Sequence, residues 1–230
     1  MKTQKEIFKA SEGNKWFFRN GDSNEYKQKE NDIIIKSLRE IKIFPKKILE
    51  IGCSNGLRLN YLNKIFGSEC FGIDPSVKAI ENGKKEFPNI TLQVGTADLL
   101  SFEDNKFDMI IFGFCLYLCD RKDLFKIAFE ADRCLSDNGF LVIMDFCPPF
   151  PYKNIYTHKE TIYSYKMNYA KLFSWNPAYN EIFNTIFSLS GFSKRSIPDE
   201  KVAVTILNKV EEFAYSNEPY KTNGVSDHLP

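Results

Sequence analysis

Two carboxylates in this chain stand where short apolar runs end. Glu50 follows Lys47-Ile-Leu, and Asp74 closes Glu69-Cys-Phe-Gly-Ile. An acid at the end of a buried strand can accept both hydroxyls of a ribose, a role that suits Asp74. Asp74 also fits a helix start, with Pro75 in the first turn of the helix-compatible stretch Val77 to Phe87, and the two roles are compatible. Between the acids, Gly52 and Gly56 flank a turn. Glycine belongs where a turn needs positive φ or where a ligand approaches the backbone too closely for a Cβ. A dinucleotide fingerprint counted from Gly52 would need glycines where Ser54 and Leu57 stand, which weakens the NAD reading. Glu50 would repel a pyrophosphate, whereas it suits a ligand that carries positive charge.

Proton chemistry has two candidates. His158 carries an imidazole, the side chain most often used as a general base, and could take a proton from a hydroxyl, although no carboxylate is spaced to orient it. Tyr117 stands beside the end of an apolar run and is the second. Aromatic side chains concentrate in two further places, Glu12 to Asn20 and Pro148 to Tyr179. Tyr and Trp rings can stack on a sugar or ring while offering a hydrogen bond, and interleaved lysines could meet a phosphate. Trp16, Arg19, Tyr152, Tyr165 and Lys166 are the substrate candidates, and anchoring the segments to the core is the competing role for each of these aromatics.

These residues need a scaffold, and the pattern supplies one. Apolar runs at Lys47 to Ile51, Glu69 to Asp74, Ile90 to Val94, Lys106 to Tyr117 and Phe140 to Phe146 alternate with helix-compatible segments, including the one-faced Asp120 to Leu135. Such alternation predicts right-handed crossovers and a doubly wound, Rossmann-like, mostly parallel α/β sheet with its ligand at the carboxyl ends of the strands. Tyr179 to Ser190 has a helical pattern. Gly191 to Pro198 and Val202 to Leu207 read as a closing antiparallel hairpin at the sheet edge. The expected division is a helical cap over 1–44, a catalytic domain over 45–215 with a substrate-binding insert around 148–178, and a poorly ordered tail over 216–230.

The turn E-x-G-x-x-x-G at Glu50 to Gly56 resembles motif I of the class I S-adenosylmethionine-dependent methyltransferases, with Ser54 in place of the usual middle glycine. Asp74, the Gly95-Thr-Ala-Asp-Leu99 turn, the Lys106-Phe-Asp-Met-Ile-Ile strand and Leu135-Ser-Asp-Asn-Gly-Phe-Leu-Val follow in the order that family shows. The resemblance implies a seven-stranded sheet, S-adenosylmethionine as cofactor and S-adenosylhomocysteine as product. It places Glu50, Gly52, Cys53, Ser54, Asn55, Gly56, Asp74, Pro75, Ala97, Asp98, Leu99, Phe112, Gly113 and Phe114 at the cofactor. Asp98 would face the adenine amino group, though alone it reads equally well as a turn residue. Phe112, Phe114 and Tyr117 would lie near the sulfonium, since ring faces attract cations, or would simply fill the core. Glu12-Gly-x-x-Trp-Phe-x-Arg-Asn resembles the opening of methyltransferases associated with bacterial surface-sugar biosynthesis, which implies a sugar or nucleotide-sugar methylated at O or N. The competing readings are an NAD-dependent oxidoreductase or epimerase on a related fold and a non-catalytic adenosyl-binding module.

Composition narrows the partners. In 230 residues, 31 basic and 30 acidic side chains give a net charge of +1, so no global field recruits nucleic acid. A small-molecule acceptor is expected instead, with the oligomeric state open. The six cysteines form no C-x-x-C pair and no metal-like cluster with the two histidines, so no metal is expected and the thiols read as free. No apolar run reaches the length of a membrane span, and no signal-like segment opens the chain, which predicts a cytoplasmic protein.

Overall fold

A computed structural model describes residues 2–20, 32–189, 197–212, 214 and 215. Strands β1 (Lys47–Ile51), β2 (Glu69–Asp74), β3 (Thr91–Val94), β4 (Phe107–Gly113) and β5 (Leu135–Phe146) are parallel. Together with β8 (Tyr179–Ser188) and β9 (Lys201–Lys209) they form one seven-stranded sheet in the order β3-β2-β1-β4-β5-β9-β8. β9 runs antiparallel to both its neighbours, giving the edge hairpin. The strand order reverses between β1 and β4, and the crevice beyond their carboxyl ends is where such a sheet binds ligands.

Both faces of the sheet are covered, which explains why its central strands are continuous apolar runs rather than alternating ones. Along β4, Ile110 and Phe112 enter one core with Leu124, Ile127 and Ala131 of α6 (Leu124–Cys134). Met109 and Ile111 enter the other, with Ile34, Ile35 and Leu38 of α3 (Ile33–Glu40), Leu59 and Leu62 of α4 (Leu57–Phe66), and Ile80 of α5 (Val77–Glu86).

One element departs from its pattern. Tyr179–Ser188 is a strand, not the expected helix. A register shift between Glu181 and Phe183 turns the chain over, so Phe183 and Phe187 meet the core while Ile182 and Ile186 point to solvent. A bulge of this kind turns two period-2 stretches into apparent helical spacing. Most of the strand expected over Gly191 to Pro198 lies outside the described residues, as does the tail from Ser216.

Two attachments sit at the carboxyl ends. The insert folds into a two-stranded ribbon, β6 (Tyr152–Ile155) against β7 (Tyr163–Lys166). Near the N-terminus, α1 (Gln4–Ile7), a π-helical turn (Phe8–Glu12) and α2 (Gly13–Asn20) run on as one rod. Among the described residues no helix is long and apolar enough to cross a membrane.

Candidate active site

The turn after β1 is built from three left-handed residues: Gly52 (φ 77°), Ser54 (φ 52°) and Gly56 (φ 78°). The first needs to be glycine for a second reason: a Cβ on Gly52 would lie 2.7 Å from the Cβ of Cys115. Ser54 adopts the conformation that the missing glycine would take freely, at a cost of about 1–2 kcal/mol. Compensation is visible, since the Ser54 N–H donates to Asp74 Oδ2 at 2.9 Å. The other oxygen of Asp74 accepts from the Ser76 N–H at 2.8 Å. Burial pushes the Asp74 carboxyl up to about 6, with these two N–H bonds acting against the shift. Asp74 thus joins the β1 and β2 turns into one rim, while Ser76 Oγ caps α5.

Glu50 is buried against Arg58 of α4, whose Nε also donates to Asp32 Oδ2 at 2.9 Å. A Cβ at Gly113 would overlap Glu50 Oε1, so the end of β4 has room only for glycine. The next residue, Phe114, is left-handed (φ 64°) despite its bulk. Its N–H donates to Met144 O at 2.9 Å, and its ring packs 4.9 Å from Phe146 and 5.0 Å from Tyr117. Strain in a non-glycine residue at a strand end is characteristic of functional sites.

Two cavities open at this switch point. Asp74, Pro75 and Ala97 line the first, together with Lys5 and with Asp98, Asp120 and Asp123, which cluster around Lys5. The second has a polar wall of Asp32, Glu50, Ser54 and Arg58 and an apolar wall of Met144, Phe187, Leu189 and Val202. Trp16, Gly52, Gly113 and Phe114 line both. The shared residues mark a junction between the two cavities.

Of the residues singled out from sequence, Glu50, Gly52, Cys53, Ser54, Asp74, Pro75, Ala97, Asp98, Gly113, Phe114 and Trp16 come to these cavities. The others do not line them. The Asn55 Oδ1 accepts from the Leu57 N–H, Gly56 packs on Ile90 and Leu92, and Leu99 is 69% exposed. Phe112 is fully buried, 6.2 Å from the ring of Phe173, because its side of β4 faces the α6 layer. Tyr117 lies behind Phe114 and Phe146, and burial drives its hydroxyl well above the ordinary range. His158 is exposed, with its edge against Tyr156.

The aromatic insert spends its polar groups on anchoring itself to the rest of the fold. Tyr152 donates to Asp199 at 2.6 Å, and Lys166 pairs with Asp199 at 2.9 Å with its ammonium over the Phe146 ring. Tyr165 stacks under the Arg121 guanidinium, and Arg19 donates to Glu12 and Tyr156. Sequence reasoning missed Arg58, Asp32, Lys5 and the apolar wall. Asp32 had a legible signal, an N-cap acid before Ile33-Ile-Ile; the rest depend on contacts distant in sequence.

Asp145, 2% exposed beneath the aromatic group, holds the post-β4 turn by accepting from the Tyr117 and Phe146 N–H groups. Burial pushes its carboxyl up to about 7. A raised folded-state value favours the neutral form. The stability it contributes is therefore fully present below the unfolded carboxyl value and is lost as pH rises through about 7, at about 1.4 kcal/mol per unit. Asp74, also raised, acts in the same direction. Thermal melts should therefore fall between pH 5 and 7.5, and Asp145→Asn should flatten that slope; an unchanged slope would remove Asp145 as its source.

Residues 48–139 match a family model described as a methyltransferase domain. A demethylmenaquinone methyltransferase from Thermotoga maritima is 30% identical over 78% of this chain and 75% of its own length. One from Staphylococcus aureus is 31% identical over 60% of this chain and 54% of its own length. Among solved structures, the Bradyrhizobium japonicum N-methyltransferase NodS in complex with S-adenosylhomocysteine superposes with a TM-score of 0.61 at 17% identity, over 82% of this chain and 89% of that one. A S-adenosylmethionine-dependent methyltransferase from Methanosarcina mazei gives 0.60 at 18%, over 76% and 97%.

Proposed function

Because the chain belongs to the class I S-adenosylmethionine-dependent methyltransferases, we propose that its two joined cavities form one active site. The first takes the adenosyl end of the donor; the second takes its amino-acid end and a small acceptor. The residues fit that donor. The Ser54 hydroxyl, which lines the second cavity, is buried with no hydrogen-bond partner among the described residues. The polar side chains around the cavities are mainly carboxylates, suited to hydroxyls, amino groups and positive charge rather than to phosphate. In this reading Asp74 would hold the ribose hydroxyls, Asp98 the adenine amino group, and Glu50, Ser54 and Arg58 the amino-acid end.

Bound S-adenosylmethionine supplies a methyl carbon made electrophilic by its sulfonium. The protein's part is to hold the acceptor in line with that carbon and to exclude water, with Trp16 and Phe114 closing the junction. Tyr117 is held neutral by burial, and the carboxylates of the second cavity already face Arg58. This favours an O or N nucleophile that needs little help in losing a proton, such as a phenolate or a neutral amine.

The apolar wall of Met144, Phe187, Leu189 and Val202 carries the acceptor reading: a molecule with an apolar body rather than a free sugar. The name of the Thermotoga maritima relative, a demethylmenaquinone methyltransferase, points the same way. A sugar or nucleotide-sugar is the second reading, favoured by Trp16 at the junction, whose ring could stack on a pyranose. The test is transfer of labelled methyl from S-adenosylmethionine into a panel of phenols, hydroquinones, aryl amines and nucleotide-sugars. Label is expected in the aromatic acceptors; label confined to nucleotide-sugars would establish the second reading.

A further inference from the structure

The N-terminal rod lines the first cavity with Lys5, Phe8, Gly13 and Trp16 and is fastened to the rest of the fold at two points. At the first, the carboxylate of Asp120 accepts from the N–H groups of Gln4 and Lys5 at 3.1 and 2.8 Å. The Gln4 side chain donates to Leu118 O and accepts from the Tyr163 N–H. At the second, Gly13 packs closely enough on Ser76 that a Cβ would lie 3.3 Å from its nitrogen. Asn14 Oδ1 there accepts from Ser76 Oγ at 2.9 Å and from the Lys78 N–H at 3.1 Å. Between the two fastenings Phe8 lines the cavity and the helix widens into its π turn. Single π turns inside helices recur at functional sites.

The Lys5 ammonium reaches from this rod into the cavity, 2.6 Å from Asp98 Oδ2 and 2.9 Å from Asp123 Oδ2. Its side chain is 30% exposed, against 9% for Asp98. A nitrogen donor thus already sits on the carboxylate assigned above to an amino group of the donor.

We propose that Lys5 is an internal occupant of the adenine end of the donor site, so that the N-terminal rod acts as a strap. S-adenosylmethionine gains access by taking Asp98 from Lys5, and Asp120 and Asp123 keep the strap's first turn in place to close over it. The proposal rests on the assignment of Asp98 to the adenine. Two acids share one ammonium, so Lys5 can leave Asp98 and keep Asp123, which makes the exchange cheaper than breaking an isolated pair. Phe8 and Trp16 of the same rod line the cavity, so a rod that stays fastened while Lys5 lets go keeps both against the donor.

Stopped-flow fluorescence of Trp16 in a Trp175→Phe background reads the exchange, with S-adenosylhomocysteine as the probe. Lys5→Met keeps the apolar stem and removes the competitor, and should raise the association rate constant about tenfold, the scale of one partly solvated charged hydrogen bond. Asp123→Asn, which removes the alternative partner and leaves Asp98 intact, should slow association instead. Opposite changes in the two variants support the strap. Association unchanged in Lys5→Met, with binding intact, would overturn it alone. Binding to the parent protein that Asp98→Asn does not weaken would overturn the adenine assignment and the strap with it.

Discussion

Gly83→Ala should destabilise the protein by about 2–3 kcal/mol and weaken donor binding, although alanine is the better helix former by about 1 kcal/mol. Gly83 lies inside α5, where its missing side chain leaves room for the turn after β1. An added Cβ would overlap the carbonyl oxygen of Asn55 and come within 2.8 Å of its carbonyl carbon. The obstacle is backbone, so no rotamer change relieves it. Either α5 or the turn must move, and the turn is the piece that carries the Ser54 N–H to Asp74. The melting temperature should fall by roughly 2–4 °C per kcal/mol lost. S-adenosylhomocysteine affinity should drop with it. Gly67→Ala is the comparison: the residue is left-handed (φ 71°) but a Cβ there meets nothing within 4 Å. It should cost about 1–2 kcal/mol of backbone strain and leave affinity unchanged. Equal affinity losses in both variants would mean that general destabilisation, not displacement of the turn, weakens binding.

Arg58→Leu should be costlier still. The guanidinium is 8% exposed and lies between the carboxylates of Glu50 and Asp32, exposed 1% and 4%. Removing one member of a buried ionic group costs about 3–5 kcal/mol, because the opposite charges stay behind in a poorly solvating interior. The melting temperature should fall on the order of 10 °C. Adding Glu50→Leu should return part of that loss, since an apolar pair is easier to bury than an uncompensated carboxylate. Thermal unfolding of the single and double variants forms the cycle. A double variant less stable than Arg58→Leu would show that Glu50 stabilises the fold through something other than this pair.

Strands β1, β2 and β4 were legible because each is buried on both faces, or nearly so, and therefore reads as an apolar run ended by an acid or a glycine; the edge strand β3 and the polar start of β5 carried a weaker signal. The acids at Glu50 and Asp74 were legible for the same reason, since a strand end fixes where its last side chains lie; Asp98 stands in the turn beyond β3 and was singled out only through the family resemblance. β8 was not legible, because the bulge after Glu181 changes which side chains face inward halfway along it. The amphipathic N-terminal segment shows that it has a buried face but not what that face covers. Lys5 meets Asp98 across 93 residues of sequence, a contact no local pattern encodes. The insert misled in the opposite direction. Its lysines and tyrosines have the composition of a binding loop, yet Lys166 and Tyr152 are consumed by Asp199, which lies beyond it in sequence. Family membership sets aside the oxidoreductase and non-catalytic readings that the motif turn alone left open.

The central claim is that the two cavities are one active site with the reacting methyl at their junction. A crystal structure of the protein with S-adenosylhomocysteine tests it most directly. The ligand's sulfur is expected between Gly52 and Phe114 beneath Trp16, with the ribose on Asp74 and the amino-acid end toward Arg58. A sulfur lying away from these shared residues, or an amino-acid end that leaves the second cavity untouched, would contradict it.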